Sequence, residues 1–183
     1  MKTFFVMSLP RSRTAWFANF LTHENSFCFH EAFLQVRSPN QLRELFASTG
    51  KEIVGNSDCG NLFFVDEILD AFPDAKFIVI ERPVEDVLAS IRSLGPEFSD
   101  EETVWHAYDR LREFKRQHNP LIWQYDHLSL PSLALIWQHC IGTRFDVQRA
   151  SMLDGLDIQI NLDKKLRQIR EIEDKRWLME ALN

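Results

Sequence analysis

Residues 3–17, Thr-Phe-Phe-Val-Met-Ser-Leu-Pro-Arg-Ser-Arg-Thr-Ala-Trp-Phe, leave this chain few ways to fold. Phe4–Met7 is a continuous apolar run, the pattern of a strand buried on both faces. Leu9–Thr14 is a polar elbow, after which Trp16, Phe17, Phe20 and Leu21 recur at helical spacing. A buried strand that turns straight into a helix leaves N–H groups free at the helix start. Those donors, with the helix dipole, attract anions. The elbow adds Arg11 and Arg13, and Ser12 and Thr14 can each offer a hydroxyl. This is the chemistry of a phosphate- or sulfate-binding loop. It is not the common nucleotide loop, which needs Gly, four residues, then Gly-Lys-Ser/Thr. The elbow has neither glycine nor lysine. Taken alone, its arginines read as solvated.

The rest of the chain alternates strand and helix patterns. Strands are expected at 2–8, 26–30, 52–55, 76–80 and 120–125. Helices are expected at 12–22, with Ser12 as N-cap, and at 39–48, where Pro39 opens and Thr49-Gly50 stops the helix. Further helices are expected at 61–71, at 83–93 with Pro83 in the first position, at 100–117 and at 131–141. Residues 143–160 carry no clear pattern, and 161–181 read as a charged amphipathic helix with a solvated face. Such alternation implies an α/β fold, a mostly parallel five-stranded sheet in three layers with helices on both faces. No repeat, composition shift or Gly/Ser-rich linker divides the 183 residues, so one domain over 1–183 is expected.

Composition excludes several function classes. A net charge of -6 argues against a general nucleic-acid binder, which needs a basic face to displace counterions. Cys28, Cys59 and Cys140 are far apart and odd in number, so they read as free thiols of a reducing cytoplasm rather than a zinc or disulfide framework. Met1-Lys2 runs directly into the first strand, with no signal-peptide pattern. No apolar stretch is long enough to span a membrane. A cytoplasmic protein with no membrane or nucleic-acid partner is expected.

In a parallel sheet, ligands sit beyond the carboxyl ends of the strands. The residues just past each expected strand are Arg11–Thr14, His30-Glu31, Asn56-Ser57-Asp58, Glu81-Arg82 and Tyr125-Asp126-His127. In Arg82-Pro83-Val84-Glu85-Asp86-Val87-Leu88-Ala89-Ser90, an arginine at a strand end precedes a hydroxyl two helical turns later. An Arg fork with a hydroxyl grips a phosphate well. Alone, Arg82 could as well pair with Glu85 or Asp86.

Together these stretches resemble the sulfotransferase family that uses 3′-phosphoadenosine 5′-phosphosulfate (PAPS). The family's strand ending in Pro-Lys/Arg-Ser-Gly-Thr-Thr-Trp is matched by Pro10-Arg11-Ser12-Arg13-Thr14-Ala15-Trp16. Its Arg, seven residues, then Ser, with Asp-Val inside, is matched by Arg82, Asp86-Val87 and Ser90. A softer likeness is the late strand end Tyr125-Asp126-His127-Leu128. The resemblance spans about residues 3–128. It implies a P-loop-like fold of the sulfotransferase type, with PAPS as donor, 3′,5′-adenosine diphosphate (PAP) as product, and no metal. It implies that Arg11 lies near the bridging oxygen of the 5′-phosphosulfate, cradled by the loop Ser12, Arg13, Thr14 and Ala15. Trp16 would stack on adenine, and Arg82 and Ser90 would hold the 3′-phosphate. Arg13 departs from the family's glycine and Ala15 from its second threonine. A basic closing segment is not evident, Arg144 and Arg149 being the candidates.

Sulfuryl transfer, like phosphoryl transfer, asks the protein to position reactants and stabilise charge. A base then takes the proton of a small-molecule or glycan acceptor. Glu31 is the expected base and His30 the alternative. Alternation along a strand suggests that only one of them reaches the site. Asp58 either orients the acceptor or stabilises a turn. Phe27, Phe29, Phe33, Phe63 and Phe64 read as core or acceptor lining. Two rival readings are a non-catalytic nucleotide-binding relative and a P-loop-type kinase.

Overall fold

A computed structural model describes residues 1–95 and 100–154. The charged segment 161–181 expected to be helical, and the end of the 143–160 stretch, lie outside the described residues. The strands are β1 (Lys2–Ser8), β2 (Ser26–His30), β3 (Ile53–Ser57), β4 (Lys76–Glu81) and β5 (Leu121–Gln124). They form one sheet in the order β2-β3-β1-β4-β5, parallel throughout. The helices are α1 (Thr14–Phe20), α2 (Pro39–Ser48), α3 (Val65–Ala71), α4 (Val84–Arg92), α5 (Glu101–His118), α6 (Leu130–Cys140) and α7 (Val147–Asp154).

The unbroken apolar run of β1 is explained by its place. It lies at the centre of the sheet, and Phe4, Phe5, Val6 and Met7 are each fully buried. Their side chains alternate between two cores. Phe5 and Met7 join Leu42, Phe46, Val87 and Leu111 from α2, α4 and α5. Phe4 and Val6 join Phe17, Phe20, Ile136, Trp137 and Leu153 from α1, α6 and α7. Each fully buried Phe or Leu contributes about 1.5–3 kcal/mol, so this division of one strand's residues builds the three layers.

Several boundaries differ from those expected, each for a local reason. β3 continues to Ser57, because Val6 of β1 still pairs with it there. The helix expected from 61 begins as a 3-10 turn over Cys59–Phe64, which Asp58 caps by accepting from Gly60 N. Pro83 sits just before α4 in an extended conformation, ψ 132°. β5 stops at Gln124, and Tyr125–His127 turn away in a 3-10 turn. The unpatterned stretch after Gly142 contains α7. Cys28 and Cys140 are buried free thiols and Cys59 is half-buried and free. No helix among the described residues is long and apolar enough to cross a membrane.

Gly55 in β3 is required by close approach. A Cβ there would come within 2.2 Å of the buried Phe4 ring of the neighbouring strand. Gly55→Ala is expected to cost about 1–3 kcal/mol of stability through overpacking. Urea unfolding with an unchanged m-value checks this.

Candidate functional site

The elbow between β1 and α1 is built from left-handed backbone. Arg11 and Arg13 both have φ 62°, a conformation that costs an L-residue roughly 1–2 kcal/mol. Arg13, not Ser12, holds the cap position of α1, with no side-chain cap. The turns on either side of Ser12 send it inward. It is fully buried, and its hydroxyl donates to Pro10 O at 3.4 Å. Such alternation of left-handed residues is the backbone setting of anion-binding nests. No acidic residue stands in the first turn of α1 to compete for that role.

The start of α1 is fastened to its neighbours. Ser57 Oγ donates to Thr14 O at 2.9 Å, and Thr14 Oγ1 lies 3.1 Å from His30 Nε2. Ala15 is half-buried, and its carbonyl accepts from Asn19 Nδ2 at 2.9 Å. Trp16 does not face an open rim. It is 6% exposed, stacks on Phe20 at 5.0 Å, and donates from Nε1 to Leu153 O at 3.1 Å. Its place in the helix period directs its ring into the core. Of the candidates for a closing segment, Arg144 is exposed. Arg149 instead donates to the carbonyls of Phe20, Asn19 and Thr22 at 2.8, 2.7 and 2.6 Å. It satisfies the C-terminal end of α1.

The second arginine motif meets the elbow directly. Arg11 Nε donates to Ser90 Oγ at 3.2 Å, and Arg82 Nη1 donates to Arg11 O. The two clusters are therefore one assembly. Tyr125, at the end of β5, completes it. Arg82 Cζ is 4.4 Å and Arg13 Cζ 5.0 Å from its ring centroid. Among the described residues, Arg82 forms no ion pair with Glu85 or Asp86, and none of Arg11, Arg13 and Arg82 pairs with a carboxylate. Glu81, next to Arg82, is engaged elsewhere. Lys115 Nζ and Gln124 Nε2 both donate to it, and the Lys115 bond holds its carboxyl below the usual range.

His30 and Glu31 lie side by side near the start of α1. Glu31 has left the strand, with φ 55°, and begins a 3-10 turn over Ala32–Leu34. This turn breaks the strand's alternation, so Glu31 Oε1 lies 3.8 Å from His30 Nε2. A buried polar network fixes the turn. Ala32 N donates to Asn56 Oδ1 at 3.1 Å and Phe33 N to Asp58 Oδ2 at 3.3 Å. Asn56 Nδ2 donates to Asn61 Oδ1 at 2.8 Å, and Asn61 Nδ2 donates to Val6 O at 3.1 Å. Asp58 thus serves the turn. Asn61, which the sequence reading passed over, links that turn to β1; its neighbour Gly60 was the only local hint. Among the phenylalanines, Phe29 stacks on Phe46 and Phe33 on Phe64, while Phe63 stacks on His106 and is 37% exposed. Asp126 and His127 are exposed. Among the described residues no group of three or more His, Cys, Asp or Glu could hold a metal ion.

A family model described as a sulfotransferase domain matches residues 6–146. The crystal structure of a sulfotransferase from Alicyclobacillus acidocaldarius is similar with TM-score 0.58 and 14% identity, over 95% of each chain. A gluconokinase structure from Sinorhizobium meliloti 1021 gives TM-score 0.48 and 11% identity, over 77% of this chain and 90% of its own. No curated protein sequence matches significantly.

Loss of water on burial raises the Asp58 carboxyl above its ordinary value, against the lowering by the N–H groups of Gly60 and Phe33 and the Asn56 amide. Between the ordinary and the raised value the folded chain binds more protons than the unfolded one. Asp58 therefore makes stability fall as pH rises through that window. Denaturant unfolding across a pH series is expected to show this component, and Asp58→Ala to remove it.

Proposed function

Because the chain belongs to the sulfotransferase domain family over residues 6–146, we propose that it transfers a sulfuryl group from PAPS to a hydroxyl or amine acceptor. The observation that carries this reading is the assembly of Arg11, Arg13 and Arg82 without a carboxylate partner among the described residues. Three neighbouring guanidiniums repel one another, and in a chain of net charge -6 carboxylates were available to neutralise them. Left unpaired, they favour an anionic ligand.

Arg11, Arg13, Arg82 and Ser90 carry the donors that a nucleotide with anions at two ends would need. Arg11, Arg13 and the elbow N–H groups would hold the 5′-phosphosulfate, and Arg82 with Ser90 the 3′-phosphate. When bound, PAPS supplies a sulfuryl group on a stable phosphate leaving group. The chain's own residues then do three things. The guanidiniums stabilise the charge that gathers on the leaving oxygen. Glu31 takes the acceptor's proton, with His30 beside it and Thr14 Oγ1 holding the His30 ring nitrogen at 3.1 Å. The rigid elbow keeps the reacting groups aligned, which removes much of the entropic barrier.

Titration calorimetry tests the donor. The chain is expected to bind PAP in preference to ATP, and Arg82→Ala to weaken PAP about ten- to hundredfold by loss of a charge-assisted contact. Ser90→Ala is expected to weaken it less. Equal, weak binding of PAP and ATP would overturn the PAPS reading. Glu31→Gln is expected to leave PAP binding in place and lower turnover about 10²–10⁴-fold with a phenolic acceptor panel. Unchanged turnover in that variant would remove Glu31 as the base.

A further inference from the structure

Two of the three guanidiniums share one aromatic ring. Arg13 comes from the elbow after β1, Arg82 from the end of β4, and Tyr125 from the turn after β5. Their Cζ atoms lie 5.0 and 4.4 Å from the ring centroid. These are three successive strands of the sheet, so the ring gathers side chains that no local sequence pattern connects. A π face attracts a cation through its quadrupole and carries no net charge. This separates it from a carboxylate. An acidic residue at position 125 would grip both arginines and cancel the charge that an incoming anion needs. A ring holds them and leaves them positive.

Arg13 points the same way. It stands at φ 62°, where glycine would fit without strain, and it is exposed. Its guanidinium lies over the Tyr125 ring. Arg82 is fixed twice, by Tyr125 and by its bond to Arg11 O. The geometry points to Tyr125 as the positioning residue of the anion site, its ring holding Arg13 and Arg82 in place, unneutralised, for a ligand with two anionic ends. The inference rests on the nucleotide reading above, but concerns a residue that reading leaves without a role.

The test is calorimetry with PAP on the full chain, with thermal unfolding recorded for each variant. Tyr125→Leu is expected to weaken PAP about tenfold, the equivalent of two solvent-exposed cation–π contacts. Tyr125→Phe is expected to restore most of the affinity, because it keeps the ring face. Arg13→Ala and Tyr125→Leu are expected to combine less than additively, since each removes the same contact. Tyr125→Met serves as the ring-free variant if the leucine variant does not fold. Full affinity in a folded ring-free variant would overturn the inference. So would a Phe variant as weak as the Leu variant, which would assign the effect to the hydroxyl, or strictly additive losses. If the unaltered chain fails to prefer PAP, the donor reading falls instead. The same series read with inorganic sulfate then decides the ring's role alone.

Discussion

The constraint on which the rest depends is the burial of β1 on both faces at the centre of a parallel sheet. A strand so placed has no solvent side along Phe4–Met7, so these residues feed two cores, and the polar elbow is where the chain next leaves the core. Its neighbours sharpen the effect. From β1 the chain crosses to β2 on one side of the sheet, and from β4 it crosses to β5 on the other. The helices that make these crossings lie on opposite faces. The carboxyl ends of β1 and β4 therefore border the crevice where strand order reverses, the place where such sheets bind ligands. The elbow and Arg82 are the two lips of that crevice.

What occupies the lips is an arrangement of cations held by neutral partners: a hydroxyl, a backbone carbonyl and a ring. Each partner fixes a guanidinium without discharging it. Nearby carboxylates are directed elsewhere, Glu81 to Lys115 and Asp58 to backbone donors. The left-handed backbone at Arg11, Arg13 and Glu31 fits the same pattern. Strained residues gather where a fold needs particular atoms in particular places, and the buried amide network around Asn56 holds one of the three.

Much of this was legible in the sequence because it follows from periodicity and from strand ends. The run Phe4–Met7 set the parallel class; Arg11, His30, Glu31 and Arg82 lie at or just past strand ends, and Ser90, two turns into α4, meets Arg11. What was not legible depends on three-dimensional direction. Trp16 sits in the loop motif, yet the helix period sends its ring into the core. Ser12 has the composition of a cap, but two left-handed neighbours turn it inward. Strand alternation was expected to keep Glu31 and His30 apart, but Glu31 lies just past the strand end in left-handed backbone, where that alternation no longer holds. Tyr125 could be placed at the rim, but a contact with arginines from two other strands leaves no trace in spacing. Asn61 gave little sign beyond the neighbouring Gly60, because a buried amide is recognised by its partners rather than by its neighbours in sequence.

The hold on α1 from the far end of the described chain has one more consequence. Arg149 closes the last carbonyls of that helix, and the Leu153 carbonyl receives the Trp16 indole. During synthesis α1 leaves the ribosome long before these partners do. A domain made in that direction keeps its earliest loop provisional until its later segments emerge. The nascent chain carries its arginine turn, but that turn gains its rear support only after a stretch of 129 to 137 residues separating the partners has been made.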